Sequence, residues 1–283
     1  MFRIACEGIL AVKALHYKIR SWVLGLVPHL IMSYHCMGVL ATLMNYRLVS
    51  VEKAVVLDVA DVFGYIYTAF DALLTSAAVA QILVRGKEET GVTMLLIGRV
   101  IHRLLFTMWI HVYHSLLNDG LDVGSLLVLL ATRVYLRDRN EWPRLALKKC
   151  DFLLLAARIG LSSIYISWLE EIINPISSSL SLALLSALVL GIKCRAAAYL
   201  TALVILYHDV LSPHFWFLWG WNDALLSLEH LSLLLCKIGG FLLLSQLGAG
   251  KWSLDRYLSR APETKEQMGH YRHTKTKTSA YVL

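Results

Sequence analysis

The sequence predicts an all-α fold: a polytopic transmembrane helical bundle of about eight spans in two four-helix halves. Three observations lead there. Hydrophobic residues make up 57% of the chain and charged residues only 17%, with a mean hydropathy of +0.59, beyond the usual range of a soluble domain. The apolar residues gather in stretches of spanning length or close to it. Basic clusters punctuate those stretches at Arg3–Arg20, Arg85-Gly86-Lys87, Arg133–Lys149 and Lys193-Cys194-Arg195, and a basic tail runs from Lys251 to Lys277. Basic loops favour the cytoplasmic side, so an even number of helices is expected between consecutive clusters, with both termini cytoplasmic.

In chain order, residues 1–21 read as a cytoplasmic amphipathic lead-in, since the apolar run before Lys13 is short and no small-residue cleavage site follows. The first half, 22–136, holds spans at Trp22–Met44, Val62–Val84, Val92–Leu117 and Leu121–Leu136. A basic cytoplasmic linker over 137–151, containing Glu141-Trp142-Pro143-Arg144, is the expected boundary between halves. The second half, 152–250, holds spans at Phe152–Ile173, Ile176–Ile192, Ala196–Leu211 and Ala224–Leu247, and 251–283 is a basic cytoplasmic tail. The expected lumenal connections are Asn45–Asp61, Asn118–Asp122, Asn174-Pro175 and Ser212–Asp223, which collect Glu52, Asp58, Asp61, Asp119, Asp122 and Asp223 opposite the basic loops. Both halves follow one pattern of helix, helix, basic turn, helix, helix, as parallel repeats about the membrane normal would.

The net charge of +7 does not point to nucleic acid. The excess lies in loops and a tail beside apolar spans, where membrane lipid with anionic headgroups is the natural partner. Cys6, Cys36, Cys150, Cys194 and Cys236 are scattered without a C-x-x-C pair, and His111 and His114 have no carboxylate companion. No phosphate-binding glycine loop or serine-nucleophile motif is present, so no enzyme activity, cofactor or metal is expected.

Charged groups at bilayer depth face a bundle interior or a wet cavity. Arg99 and Arg103 share a helical face with His102 beside them, and Asp71 in the preceding span is their first expected partner. Two readings stand together: a satisfied structural pair, or a direct ligand or proton role. With Arg158 near a cytoplasmic entrance and Lys237 deep in the last span, these residues form the expected intramembrane charge network. Glu170, Glu171, Asp209, Glu229 and His230 lie near lumenal helix ends or deeper, and Phe215, Trp216 and Trp219 belong to an aromatic run after Pro213. That run reads either as an interfacial anchor or as an apolar platform for a partner. The charged members of this second set read either as the lining of a polar cavity open to the lumen or as a buried hydrogen-bonded network.

Several motifs carry a family resemblance. Ala157-Arg158-Ile159, the hairpin from Leu188 to Thr201, and Asp209 followed by Phe215-Trp216 are three of them. The most specific is Ile238-Gly239-Gly240-Phe241-Leu242-Leu243-Leu244 with Gly248-Ala249-Gly250 and Ser253-Leu254-Asp255, and Val27-Pro28-His29-Leu30 and Leu83-Val84-Arg85 match in the first half. The chain thus resembles the family of surfeit locus protein four, early-secretory cargo receptors related to a DoxX-like four-helix fold. The resemblance implies a multi-pass protein of the endoplasmic reticulum membrane that cycles to the Golgi, captures lumenal secretory cargo proteins and couples to vesicle coat components. On that implication Glu170, Glu171, Asp209, Phe215, Trp216, Trp219, Glu229 and His230 are the candidate cargo-binding residues, with carboxylates for a positive N-terminal amine of the cargo and apolar surface for the side chains that follow. The chain departs from the family near Ala41-Thr42-Leu43, where an acidic pair is replaced, and at Ala280-Tyr281-Val282-Leu283, which is no dilysine signal. The alternatives are a small-molecule or ion transporter using Asp71, Arg103 and Glu229 as a relay, and a membrane redox component.

Overall fold

A computed structural model describes residues 2–106, 112–138, 143–171, 175–207 and 224–257. Among them are nine α-helices: α1 Phe2–Met44, α2 Tyr46–Leu57, α3 Asp61–Leu83, α4 Glu88–Phe106, α5 Val112–Asp138, α6 Pro143–Glu171, α7 Pro175–Leu190, α8 Cys194–Ile205 and α9 Ala224–Leu247. Their starts follow local chemistry. Pro143 and Pro175 take the first helical position, where a missing N–H costs nothing. Glu88 and Glu89 sit in the first turn of α4, where carboxylates favour the helix dipole.

The chain is a multi-pass membrane protein. Trp22–Met44, Asp61–Leu83 and Leu228–Leu247 are each long and apolar enough to cross a bilayer by length and composition, and Ser179–Leu190 and Cys194–Ile205 are shorter apolar helices. Helix α3 shows how such a span packs. It buries Gly64, Thr68, Ala72 and Ala78, while Phe63, Ile66, Phe70 and Leu73 form an exposed stripe. Small residues let backbones approach and large apolar ones face lipid, the reverse of a helix in water.

The core is continuous. Val27, Ile31, Leu121, Leu126, Leu161, Ile164, Phe241 and Leu244 join in one buried cluster. Helix α9 packs on α1, α5 and α8, and α5 packs along α6, so residues of 22–136 and 152–250 share that core. Hydroxyls stitch the crossings: Ser125 Oγ donates to the Cys236 carbonyl at 3.4 Å, Ser33 Oγ to the Ser232 carbonyl at 3.5 Å, and the Tyr165 and Thr201 hydroxyls bond to each other. Helices α2 and α3 approach closely at Gly64, where a Cβ would stand 2.1 Å from the Ser50 carbonyl oxygen, and α5 and α6 do so at Gly160, where a Cβ would stand 2.6 Å from the Gly120 carbonyl oxygen.

Four expectations are corrected. The Asn45–Asp61 connection is mostly the helix α2, closed by Asp58 in the left-handed conformation (φ 52°), whose N–H bonds to the Ala54 and Val55 carbonyls. Residues 118–122 lie inside α5, because helix continues through Asn118-Asp119-Gly120 once its glycine face packs on α6. Most of the 137–151 linker is helix, ending α5 and beginning α6, since Pro143 starts a helix as readily as it breaks a loop. The lead-in does not stand apart from the first span, and both belong to α1.

A chain of contacts places the basic turns at one end of the bundle. Glu88 at the start of α4 pairs with Arg133 through two nitrogens, and Cys150 of α6 bonds to the Ala131 carbonyl, two residues before Arg133. Asp151 accepts the Lys251 N–H at 2.8 Å, and Asp255 accepts the Lys193 N–H at 2.5 Å. By the positive-inside tendency that end is expected to face the cytosol. In selectively permeabilised cells, an impermeant thiol reagent is therefore expected to label Lys87→Cys from the cytosol and Glu52→Cys only after lumenal access is opened. The reverse pattern would reject this orientation.

Candidate functional site

Away from the basic turns, and reaching to the middle of α3 and α4, lies a cavity of about 340 Å³ between α1, α2, α3, α4 and α9. Two helices supply most of it with the same spacing. Tyr34, His35, Gly38, Val39 and Thr42 form one face of α1, and Met94, Leu95, Gly98, Arg99 and His102 form one face of α4. Asp71 and Thr75 come from α3 and Glu229 from α9. The space opens beside Gly38 of α1, where a Cβ would meet nothing within 4 Å.

A buried carboxylate anchors the floor. Asp122 of α5 is 2% exposed, with its Oδ2 2.8 Å from Arg99 Nε and its Oδ1 3.2 Å from His35 Nε2. The Arg99 guanidinium also lies 5.8 Å from the centre of the Tyr34 ring, within range of a cation–π contact. Arg103 pairs with Asp119, one turn before Asp122. Asp71 meets Lys53 of α2 at 3.3 Å, and that ammonium lies 4.8 Å from the centre of the Tyr67 ring. The Tyr67 hydroxyl is 3.1 Å from His102 Nδ1, and His102 stacks on Phe106 at 4.8 Å.

These contacts correct the expected pairing of Asp71 with Arg99 or Arg103. Residues 46–57 coil onto α3 and bring Lys53 to Asp71, while helical continuity of α5 brings Asp119 and Asp122, three residues apart on one face, to the two arginines. Asp122 is thus a buried anchor and not a loop residue. Sequence reasoning missed Lys53, His35, Tyr34, Asp119 and Asp122. The Asp119–Asp122 spacing facing Arg99–Arg103 was the signal present for two of them.

The cavity gathers residues from both predicted sets: Asp71, Arg99 and His102 from the charge network, and Glu229 from the cargo-binding group. Arg103 is not part of its lining. His230 and Lys237 are half-buried on α9. Arg158 lies elsewhere, fully buried at the basic end, donating to the Val189 carbonyl at 3.4 Å and to the Trp252 carbonyl. Glu170 and Glu171 close α6, and their side chains lie outside the described residues, as do Asp209, Phe215, Trp216 and Trp219.

The cavity lies along the last turns of α1, the middle turns of α3 and α4 and the first turns of α9, on the side away from Glu88 and Leu247. Its volume is at the small end of ligand sites, enough for a small molecule or the first few residues of a peptide. Glu229 offers a carboxylate to a cationic donor and Asp71, shared with Lys53, a second, while Arg99 is held by Asp122, so the chemistry available favours a cation with an apolar or hydroxyl-bearing continuation.

A protein-family model described as the SURF4 family matches residues 29–260. No curated protein and no solved structure matches the chain.

Proposed function

The chain belongs to the SURF4 family, and on that premise we propose that it is a membrane cargo receptor for soluble secretory proteins travelling from the endoplasmic reticulum to the Golgi. The observation that carries this reading is the cavity away from the basic turns, with Asp71 and Glu229 in its lining. By the positive-inside tendency that side is expected to face the lumen. A positive N-terminal amine of a cargo protein is bound by the Asp71 and Glu229 carboxylates, and the following side chains pack against Leu74, Val39 and Met94. Glu170, Glu171, Asp209, Phe215, Trp216 and Trp219 are proposed as further cargo contacts. The cytosolic turns and tail contact vesicle coat components, and the receptor cycles between the two membranes.

The test replaces Glu229 with glutamine in cells lacking the native chain. A charge-assisted contact contributes roughly 1.5–3 kcal/mol, so crosslinking to secreted cargo is expected to fall about tenfold or more at matched receptor abundance. The affected cargo should accumulate in the endoplasmic reticulum. Asp71→Asn should act in the same direction, with an added stability cost because Lys53 loses its partner. Normal cargo crosslinking and secretion kinetics in both variants would reject the cavity as the capture site.

The alternative is a small-molecule or ion transporter, favoured by the enclosed Asp71, Arg99 and His102. Ion-dependent flux in liposomes containing the purified chain, with secretion unaffected by its loss, would establish that reading instead.

A further inference from the structure

At the basic end, two segments far apart in sequence form a groove of about 530 Å³. One lip is the α7–α8 turn with Lys193, Cys194 and Arg195. The other is the segment after α9, running from Gly248 to Arg256. The lips are tied together from below. Arg158, fully buried in α6, donates to the Val189 carbonyl of one and to the Trp252 carbonyl of the other. Asp255 of the second lip accepts the Lys193 N–H of the first. Gly191 (φ 73°) permits the first turn, and a side chain there would collide with the Arg158 guanidinium, since a Cβ would stand 2.3 Å from a terminal nitrogen. The groove is therefore preformed by contacts within the chain.

Its charge is one-sided. Lys193, Arg195 and Arg256 line it against a single lining carboxylate, Asp255, one oxygen of which is engaged by the backbone of Lys193. Lys193 and Arg195 also flank the start of α8, the positive end of a helix dipole, where cations are disfavoured unless an anion joins them. Beside the groove, Trp252, Leu254 and Tyr257 are exposed, a pairing of apolar and aromatic side chains with cations that belongs at a membrane interface. We infer that this groove binds the phosphate headgroup of an anionic phospholipid of the cytosolic leaflet, with Lys193 and Arg195 contacting the phosphate and the Trp252–Tyr257 surface meeting the glycerol and upper acyl chains. Basic pockets between spans at the cytosolic interface are suited to this chemistry, and the assignment is independent of the cargo reading.

The experiment uses the full-length chain purified in a non-ionic detergent, with dioctanoyl phosphatidic acid as the probe and native mass spectrometry as the readout. Saturable binding is expected, with little binding of dioctanoyl phosphatidylcholine. Lys193→Gln combined with Arg195→Gln should weaken it about tenfold or more. Asp255→Asn keeps an acceptor for the Lys193 N–H and removes the lining carboxylate, so it should tighten binding, a gain that a damaged fold does not produce. Equal binding of phosphatidylcholine, or unchanged affinity in both variants, would overturn the assignment. So would displacement by inorganic phosphate at equal affinity, which would mark a soluble-anion site, or by an acidic peptide at lower concentration, which would assign the groove to a protein partner.

Discussion

Asp122→Asn is expected to be among the most destabilising single changes in the membrane domain, lowering stability by about 3 kcal/mol and the melting temperature of the purified protein by several degrees. The carboxylate is 2% exposed and holds both Arg99 and His35. Removing its charge strands the guanidinium, because breaking a buried pair costs about 3–5 kcal/mol. Arg99 retains 30% exposure toward the cavity, which places the expected loss at the lower end of that range. Asp119→Asn should cost less, since Asp119 and Arg103 are both partly exposed, at 28% and 19%. Replacing both members, as Arg99→Met with Asp122→Leu, should recover much of the stability, because no charge is then left unpaired. Thermal unfolding in detergent measures all four proteins. Equal melting points for Asp122→Asn and Asp119→Asn would refute the role of Asp122 as the buried anchor.

Gly160→Val is expected to cost about 1–3 kcal/mol or more through overpacking, and to reduce the yield of folded protein. A Cβ at Gly160 would lie 2.6 Å from the Gly120 carbonyl oxygen and 3.0 Å from Gly124 Cα. Both obstacles are backbone, so no rotamer change relieves them and α5 must move away from α6. The reciprocal contact is as tight, with a Gly124 Cβ 2.7 Å from the Leu161 nitrogen. The same displacement would shift Asp119 and Asp122, so the ion pairs to α4 should weaken together with the helix contact. Gly25→Ala provides the control, since nothing lies within 4 Å of its Cβ and alanine is the better helix former by about 1 kcal/mol. A melting temperature for Gly160→Val within error of Gly25→Ala would show that α5 and α6 do not approach this closely.

The fold was legible to different depths in different places. The spans at Trp22–Met44, Val62–Val84 and Ala224–Leu247 coincide with α1, α3 and α9 to within a residue at most ends, because an apolar run flanked by charges is a local signal. Asn45–Asp61 and Asn118–Asp122 misled for one reason: turn-forming and charged residues read as loop when their partners are unseen. Lys53 finds Asp71, and Asp119 and Asp122 find Arg103 and Arg99, so polar residues that would end a helix in isolation are satisfied within one.

At the candidate site, Asp71, Arg99, His102 and Glu229 stood out by chemistry alone, as charges in apolar sequence. Their assembly in one cavity did not, because Glu229 lies in the last described span and the others in the first half. His35 and Tyr34 carried no signal, since one histidine and one tyrosine in an apolar helix are compatible with many environments.

The sequence by itself determined that this chain is a multi-pass helical membrane protein whose basic turns belong together, because hydrophobic length and loop charge act segment by segment against the bilayer. Only the tertiary structure decided which acid holds which arginine, that Asp122 is an anchor and that Arg158 clamps two distant turns. Those outcomes depend on the rotation and register of neighbouring helices. Here the register is set by close backbone contacts at Gly120, Gly124 and Gly160, whose effect arises only once α5 and α6 are side by side.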